Sequence, residues 1–182
     1  NKSLYFYSWL GENWNKKSLK QFDYLIIDCH NEFSIATKNA ICVSDYLLVP
    51  FTPDRFDQAG QQILTARLKE FKKEQANPLT AINPADIKVL YIANRLKPRY
   101  NSSKELLNKF AGDKRLVAKI PDKELFNKSI KIPKPLTEMK KEKRIFNANK
   151  KFFSQINQQF QNIFSTCNKE KIATKKTEVN SK

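Results

Sequence analysis

Tyr24, Leu25, Ile26 and Ile27 form an unbroken apolar run that stops at the carboxylate of Asp28. A strand with one wet face would alternate apolar and polar residues, so an unalternating run suits a strand buried on both faces of a parallel sheet. A carboxylate at the end of such a strand stands at the edge where open α/β sheets bind ligands. Beyond it, residues 34–43 have helical spacing, with Ile35, Ala36, Ala40, Ile41 and Val43 on or near one face, and residues 46–51 form a second apolar strand. Strand, loop, helix and strand make a right-handed crossover unit. This stretch commits the chain to an α/β fold.

The remaining segments extend that pattern. Residues 3–20 place Leu4, Tyr7, Leu10 or Trp14, and Leu19 at roughly helical intervals, and the aromatic content of this segment reads as core packing. Residues 56–73 form a long amphipathic helix that ends before Pro78, and 77–84 read as loop. The run at 87–93 predicts a third strand, followed by a turn at 94–99 and a helix over 103–110 closed by Gly112. A short fourth strand at 116–120 is broken by Pro121, and a short helix follows over 122–129. After a loop at 131–135 with two prolines comes a helix at 146–164, whose Phe152, Phe153, Ile156, Phe160, Ile163 and Phe164 form an apolar face. Strands alternating with helices imply a parallel sheet flanked by helices. The expected organisation is one α/β domain over 1–165 and a basic flexible tail over 166–182, which has too few apolar groups to fold.

Composition narrows the partners. With 34 Lys+Arg against 18 Asp+Glu, the net charge of +16 attracts polyanions without sequence preference. A coding bias toward Lys and Asn is the plainer reading of the same numbers. Cys29, Cys42 and Cys167 lie far apart with no CxxC spacing, against both a zinc ribbon and a disulfide framework, and a reduced cytoplasm is the simplest compartment. His30 is the sole histidine, so neither a metal site nor a nucleophilic triad is readable. No apolar run approaches the roughly 20 residues that span a bilayer. Asn1 is not a translation start, and the chain is expected to continue upstream.

The segment FDYLIID, with TKNAICVSDYLLVPFTPDRFDQAG after its loop, resembles the Walker B strand and following segment of the ParA/MinD partition ATPases. The resemblance runs from about Phe22 to about Met139. It implies a P-loop NTPase-like fold of the deviant Walker type, here missing its N-terminal strands. The only glycines are Gly11, Gly60 and Gly112, and no GxxxxGK[ST] phosphate loop occurs, so the Walker A lysine of an ATPase is absent. In the family that loop follows a strand lying beside the Walker B strand. Its absence removes a central strand as well as a ligand.

By the same resemblance Asp28 is the Walker B acid that orders Mg2+ and responds to the γ-phosphate of ATP. Asn94, Pro121 and Asp122 would flank adenine. Arg99 would touch DNA backbone, joined by Lys97, Lys128 and Lys131. The family's loop commonly continues Thr-Pro-Pro, where this chain has Cys29, His30 and Asn31. The implied protein is a plasmid or chromosome partition ATPase, cytoplasmic and bacterial nucleoid-associated. It would form an ATP-dependent homodimer, bind DNA non-specifically and work with a centromere-binding ParB-like partner. No membrane partner is expected, because the polar side of 146–164 is Gln and Asn rather than Lys-rich. The competing expectation is a non-enzymatic basic DNA-binding or scaffolding protein with a vestigial nucleotide-binding fold.

Overall fold

The computed structural model describes residues 4–30, 32–54, 58–76 and 85–179. In order, they form α1 (Tyr5–Asn13), α2 (Lys17–Lys20), α3 (Ile35–Val43), β1 (Tyr46–Phe51), α4 (Gln58–Gln75) and β2 (Lys88–Leu96). There follow α5 (Asn101–Lys109), β3 (Leu116–Pro121), α6 (Glu124–Lys131), α7 (Leu136–Met139), α8 (Lys143–Ala148) and α9 (Lys150–Val179). The strands form one sheet in the order β1-β2-β3, and β2 runs parallel to β3. This is the expected parallel sheet with flanking helices. The loop expected at 77–84 lies outside the described residues, as do Phe56 and Asp57 at the expected start of α4.

Local chemistry explains the element boundaries. Ser34 caps α3 by accepting from the Thr37 N–H at 3.5 Å, and at the other end the Ser44 hydroxyl donates to the Ala40 carbonyl at 2.7 Å. Gly112 ends the turn after α5 with φ 79°, in the left-handed region that costs glycine little. The first helical segment breaks after Asn13 at Trp14 and Lys16, and not at Gly11.

The chain divides into two compact units, each with its own core. The first comprises Asn1–Leu47 and Asp57–Val89, and the second Leu48–Phe56 and Leu90–Lys182. In the first, Ile41 and Cys42 of α3 meet Leu68 and Phe71 of α4 with Ala85 and Ile87, and Phe33 packs edge-on against Phe71 at 5.8 Å. Burial in this core pushes the Cys42 thiol pKa up. The Phe6 N–H donates to the Asn39 side-chain oxygen at 2.9 Å, which ties α1 to α3. In the second unit, Ala118 and Ile120 of β3 face Phe152, Phe153, Ile156 and Ile163 of α9, closed by Leu125 and Met139. Phe51, Tyr91 and Phe110 form an aromatic triangle with centroids 5.1 to 5.5 Å apart.

Two expectations need correction. Residues 24–27 are not a buried strand: they lie in irregular backbone, with Leu25 53% and Ile26 83% exposed. A strand needs a neighbouring strand for its row of N–H and C=O groups, and this stretch pairs with none of the three strands of the described residues. The last helix also differs. Phe146 belongs to α8, and α9 starts at Lys150 and continues to Val179, so the backbone of 166–179 is helical where a tail was expected.

Candidate functional site

The site forms where β2 and β3 end. Tyr91 stands opposite Leu116 and Ala93 opposite Lys119, but Leu96 is opposite Pro121, so β2 carries one extra residue between Ala93 and Leu96. That is a β-bulge, and it re-aims side chains at the strand end. Asn94 and Arg95 occupy it, and Arg95 has φ 54°. The Asn94 side-chain oxygen accepts from the Arg95 N–H at 2.9 Å. Beyond the bulge the Asp122 N–H donates to the Leu96 carbonyl at 2.9 Å, which extends the ladder by one bond past Pro121.

The following loop is held from inside. Ser103 is 3% exposed, and its hydroxyl accepts from the Lys97 N–H at 2.9 Å. The Tyr100 N–H donates to the Lys97 carbonyl at 2.9 Å, forming the turn that starts α5. The Lys97 ammonium then reaches Asp122 at 3.4 Å and lies 5.3 Å from the Tyr100 ring centroid. With the Lys97 side chain half exposed, this ion pair is worth at most about 1 kcal/mol. Lys97, Pro121 and Asp122 thus come together at the carboxyl end of two parallel strands, where such sheets bind ligands, with Asn94 in the bulge two residues before the end of β2.

The other predicted residues are placed as follows. Arg99 is exposed in the β2–α5 loop. Lys128 and Lys131 lie exposed on α6, within a stretch, 123–151, that carries ten Lys and Arg against three Glu. Two of those glutamates are paired, Glu138 with Lys141 at 2.7 Å and Glu142 with Lys134. The Lys134 hydrogen bond, with Lys128 nearby, lowers the Glu142 pKa. Lys131, Lys140, Lys143 and Arg144 make no ion pair among the described residues, which leaves a cationic surface. Asp28 belongs to the first unit and stands exposed in irregular backbone. That unit also has an open cleft of about 310 Å³ lined by Phe33, Lys38, Arg67, Glu70, Phe71 and Glu74, none of them predicted from sequence. Lys38 bridges to Glu74 at 3.2 Å there.

Among the described residues no three His, Cys, Asp or Glu converge as metal ligands. No described helix is long and apolar enough to cross a membrane. For a bound nucleotide, the β2–β3 edge offers an amide, a carboxylate and a cation to a base, whereas no glycine-lysine loop is present in the sequence to hold phosphates. Sequence reasoning overlooked Ser103 and the bulge. A buried serine two residues into a helix has no distinctive sequence signal, and a bulge is visible only in the register.

The fold is α/β, with helices flanking a parallel sheet, and is consistent with a P-loop NTPase-like fold. A family model described as an AAA domain matches residues 12–82. An uncharacterized protein of Methanocaldococcus jannaschii is 32% identical over 59 residues, covering 32% of this chain and 23% of that protein. A ParA family protein of Mycoplasma genitalium is 23% identical over 74 residues, covering 41% of this chain and 28% of its own length. Another from Mycoplasma pneumoniae is 22% identical over 72 residues, 40% of this chain and 27% of that protein. The chain therefore spans about a quarter of the length of the curated relatives it matches. No solved structure matches. These matches, each over part of the chain, support the ParA-like resemblance. They support nucleotide and Mg2+ use in general terms.

Proposed function

We propose that this chain is part of a ParA-like partition ATPase that binds ATP with Mg2+, dimerises on it and holds DNA non-specifically in the bacterial nucleoid. The observation that carries this reading is the joining of Lys97 and Leu96 to Asp122 at the ends of parallel strands, with Asn94 in the adjoining bulge, in a chain similar over part of its length to ParA family proteins. In this reading Asn94, Pro121 and Asp122 flank adenine, and Asp28 orders the metal. Phosphate-holding groups would come from a glycine-lysine loop outside this sequence. Arg99 and Lys97, with Lys128, Lys131, Lys140, Lys143 and Arg144, would displace counterions from DNA phosphates. Hydrolysis would be stimulated by a centromere-binding ParB-like partner.

The test is DNA binding by electrophoretic shift or anisotropy, with and without ATP and Mg2+. A ParA-like protein binds DNA more tightly with nucleotide, because the two ligands are thermodynamically linked. A second reading, a basic DNA-binding or scaffolding protein without ATPase activity, is favoured by the exposed, irregular backbone around Leu25 and Ile26 and by the missing phosphate loop. It predicts affinity that responds to salt alone.

A further inference from the structure

The α6 helix ends on a tip that is both apolar and cationic. At its start Leu125 is buried and Phe126 packs against the second core. Ile130 lies four residues beyond Phe126, on the same helical face, but by then the helix has run past the core and Ile130 is 78% exposed. Ile132, in the turn that follows, is 46% exposed, and Pro133 is exposed beside it. The turn is closed on itself. The Ile132 N–H donates to the Lys128 carbonyl at 3.1 Å, the Lys134 N–H to the Ser129 carbonyl at 3.0 Å, and the Ser129 hydroxyl to the Lys134 carbonyl at 2.7 Å. Leu136 and Met139 then return the chain to the core. The tip is held at both ends, and its isoleucines are left facing solvent. Around them stand Lys128, Lys131 and Lys134, and residues 125–137 contain no Asp or Glu. Glu142 reaches this end, pairing with Lys134 and lying near Lys128, while Lys131 makes no ion pair among the described residues.

We propose that the tip at 128–134 docks on an anionic lipid bilayer, lying on the surface without crossing it. This goes beyond the nucleotide and DNA reading above and does not rest on it. Lysines alone would suit any polyanion, so the isoleucines decide the partner. Against DNA, the ammonium groups meet phosphates while the isoleucines stay in water and gain little. At a bilayer, Ile130 and Ile132 enter the boundary between headgroups and acyl chains, and the lysine stems extend back so that their charges remain among the headgroup phosphates. Two weak signals, a small apolar wedge and a basic ring, together give the reversible binding that neither gives alone. The Gln- and Asn-rich polar side of 146–164 bears on the last helix and not on this tip.

The experiment sediments the 182-residue chain with vesicles of phosphatidylcholine alone or mixed with phosphatidylglycerol, and titrates DNA and records a thermal melt for each variant. The wild type is expected to bind the anionic vesicles and not the neutral ones. Ile130→Ser combined with Ile132→Ser should lower that affinity about tenfold, with DNA affinity and melting temperature unchanged. Lys128→Gln and Lys131→Gln should each lower it about fivefold. A second measurement guards against a folding defect: the tryptophan of Ile130→Trp should shift its emission to the blue on adding anionic vesicles, measured against the wild type's Trp9 and Trp14. Failure of the wild type to bind anionic vesicles overturns the proposal. So does a double isoleucine variant that binds them as the wild type does, since charge alone would then account for the attraction. Equal losses of vesicle and DNA affinity in that variant overturn it in favour of a nucleic-acid contact, and an Ile130→Trp emission that does not shift overturns it by placing the side chain in water.

Discussion

Replacing Ile26 with Ser separates two accounts of the segment before Asp28. Full burial of an isoleucine side chain stabilises a fold by about 1.5–3 kcal/mol. Ile26 is 83% exposed, so only about a sixth of that gain is realised. Ile26→Ser should then cost no more than about 0.5 kcal/mol, and with a urea slope of about 2 kcal/mol/M the midpoint should move by about 0.2 M. Ile41 of the first core is 2% exposed and supplies the internal control. Ile41→Ala should cost about 2–5 kcal/mol, lost transfer energy plus a cavity, and move the midpoint by at least about 1 M. Urea unfolding followed by far-UV circular dichroism measures both. If Ile26→Ser costs about 2 kcal/mol or more, the side chain is buried in solution. The segment would then be the paired strand that its apolar run predicts, and the lack of a neighbouring strand would be refuted as the determinant of its conformation.

Other outcomes can be stated more briefly. The Arg115 guanidinium, hydrogen-bonded to Asp113, holds that carboxyl below its ordinary value of 3.8. Its stabilisation is complete above that value and is lost as pH falls through the depressed folded value. Arg115→Leu should flatten the acid limb of the stability curve by about 0.5–1 kcal/mol, a small effect because the arginine is half exposed. An acid limb identical to the wild type's would show the pair contributes nothing. Arg99→Glu should weaken DNA binding and lower the steepness of its salt dependence, by about one to two phosphate contacts' worth of slope; an unaltered slope would put the contact elsewhere. Asn94→Trp should weaken ATP binding without changing the salt slope for DNA, and equal ATP affinity would remove Asn94 from the base site.

Much of this architecture is legible in the sequence, and the failures share a cause. The α3 helix begins where Ser34 can cap it and β1 occupies the apolar run at 46–51, both decided by local chemistry. β2 is read correctly but runs on to Leu96, because its bulge lets Arg95 stay in the ladder region without a partner. The segment at 24–27 has the composition of a strand and lacks the neighbouring strand that would make it one. Register and partner availability are properties of the assembled sheet, and no run of residues displays them. The same holds at 136–148, where no element was read before residue 146 and two short helices, α7 and α8, pack Met139, Ile145 and Phe146 against the second core. Of the site, Asn94, Lys97, Pro121 and Asp122 were identifiable one by one, and their convergence follows from the parallel pairing of β2 and β3. Ser103 had no signal at all.

The bonding at the strand ends holds that edge through the main chain. Asp122 joins the ladder through its N–H, Lys97 is fixed by an N–H donated to a buried hydroxyl, and Tyr100 turns the chain through its own N–H. Each anchor is a main-chain donor, so the loops keep their positions whatever the outward side chains are. The Lys97–Asp122 pair can be removed at a cost of about 1 kcal/mol or less, whereas removing the Ser103 hydroxyl leaves the part-buried Lys97 N–H without its acceptor at about 1–3 kcal/mol. Position is thus set by Ser103 and the backbone, and in the proposed function chemistry falls to Asn94, Lys97 and Asp122. Substitutions at those three should change what the edge binds while leaving the fold intact, and Ser103→Ala should do the reverse.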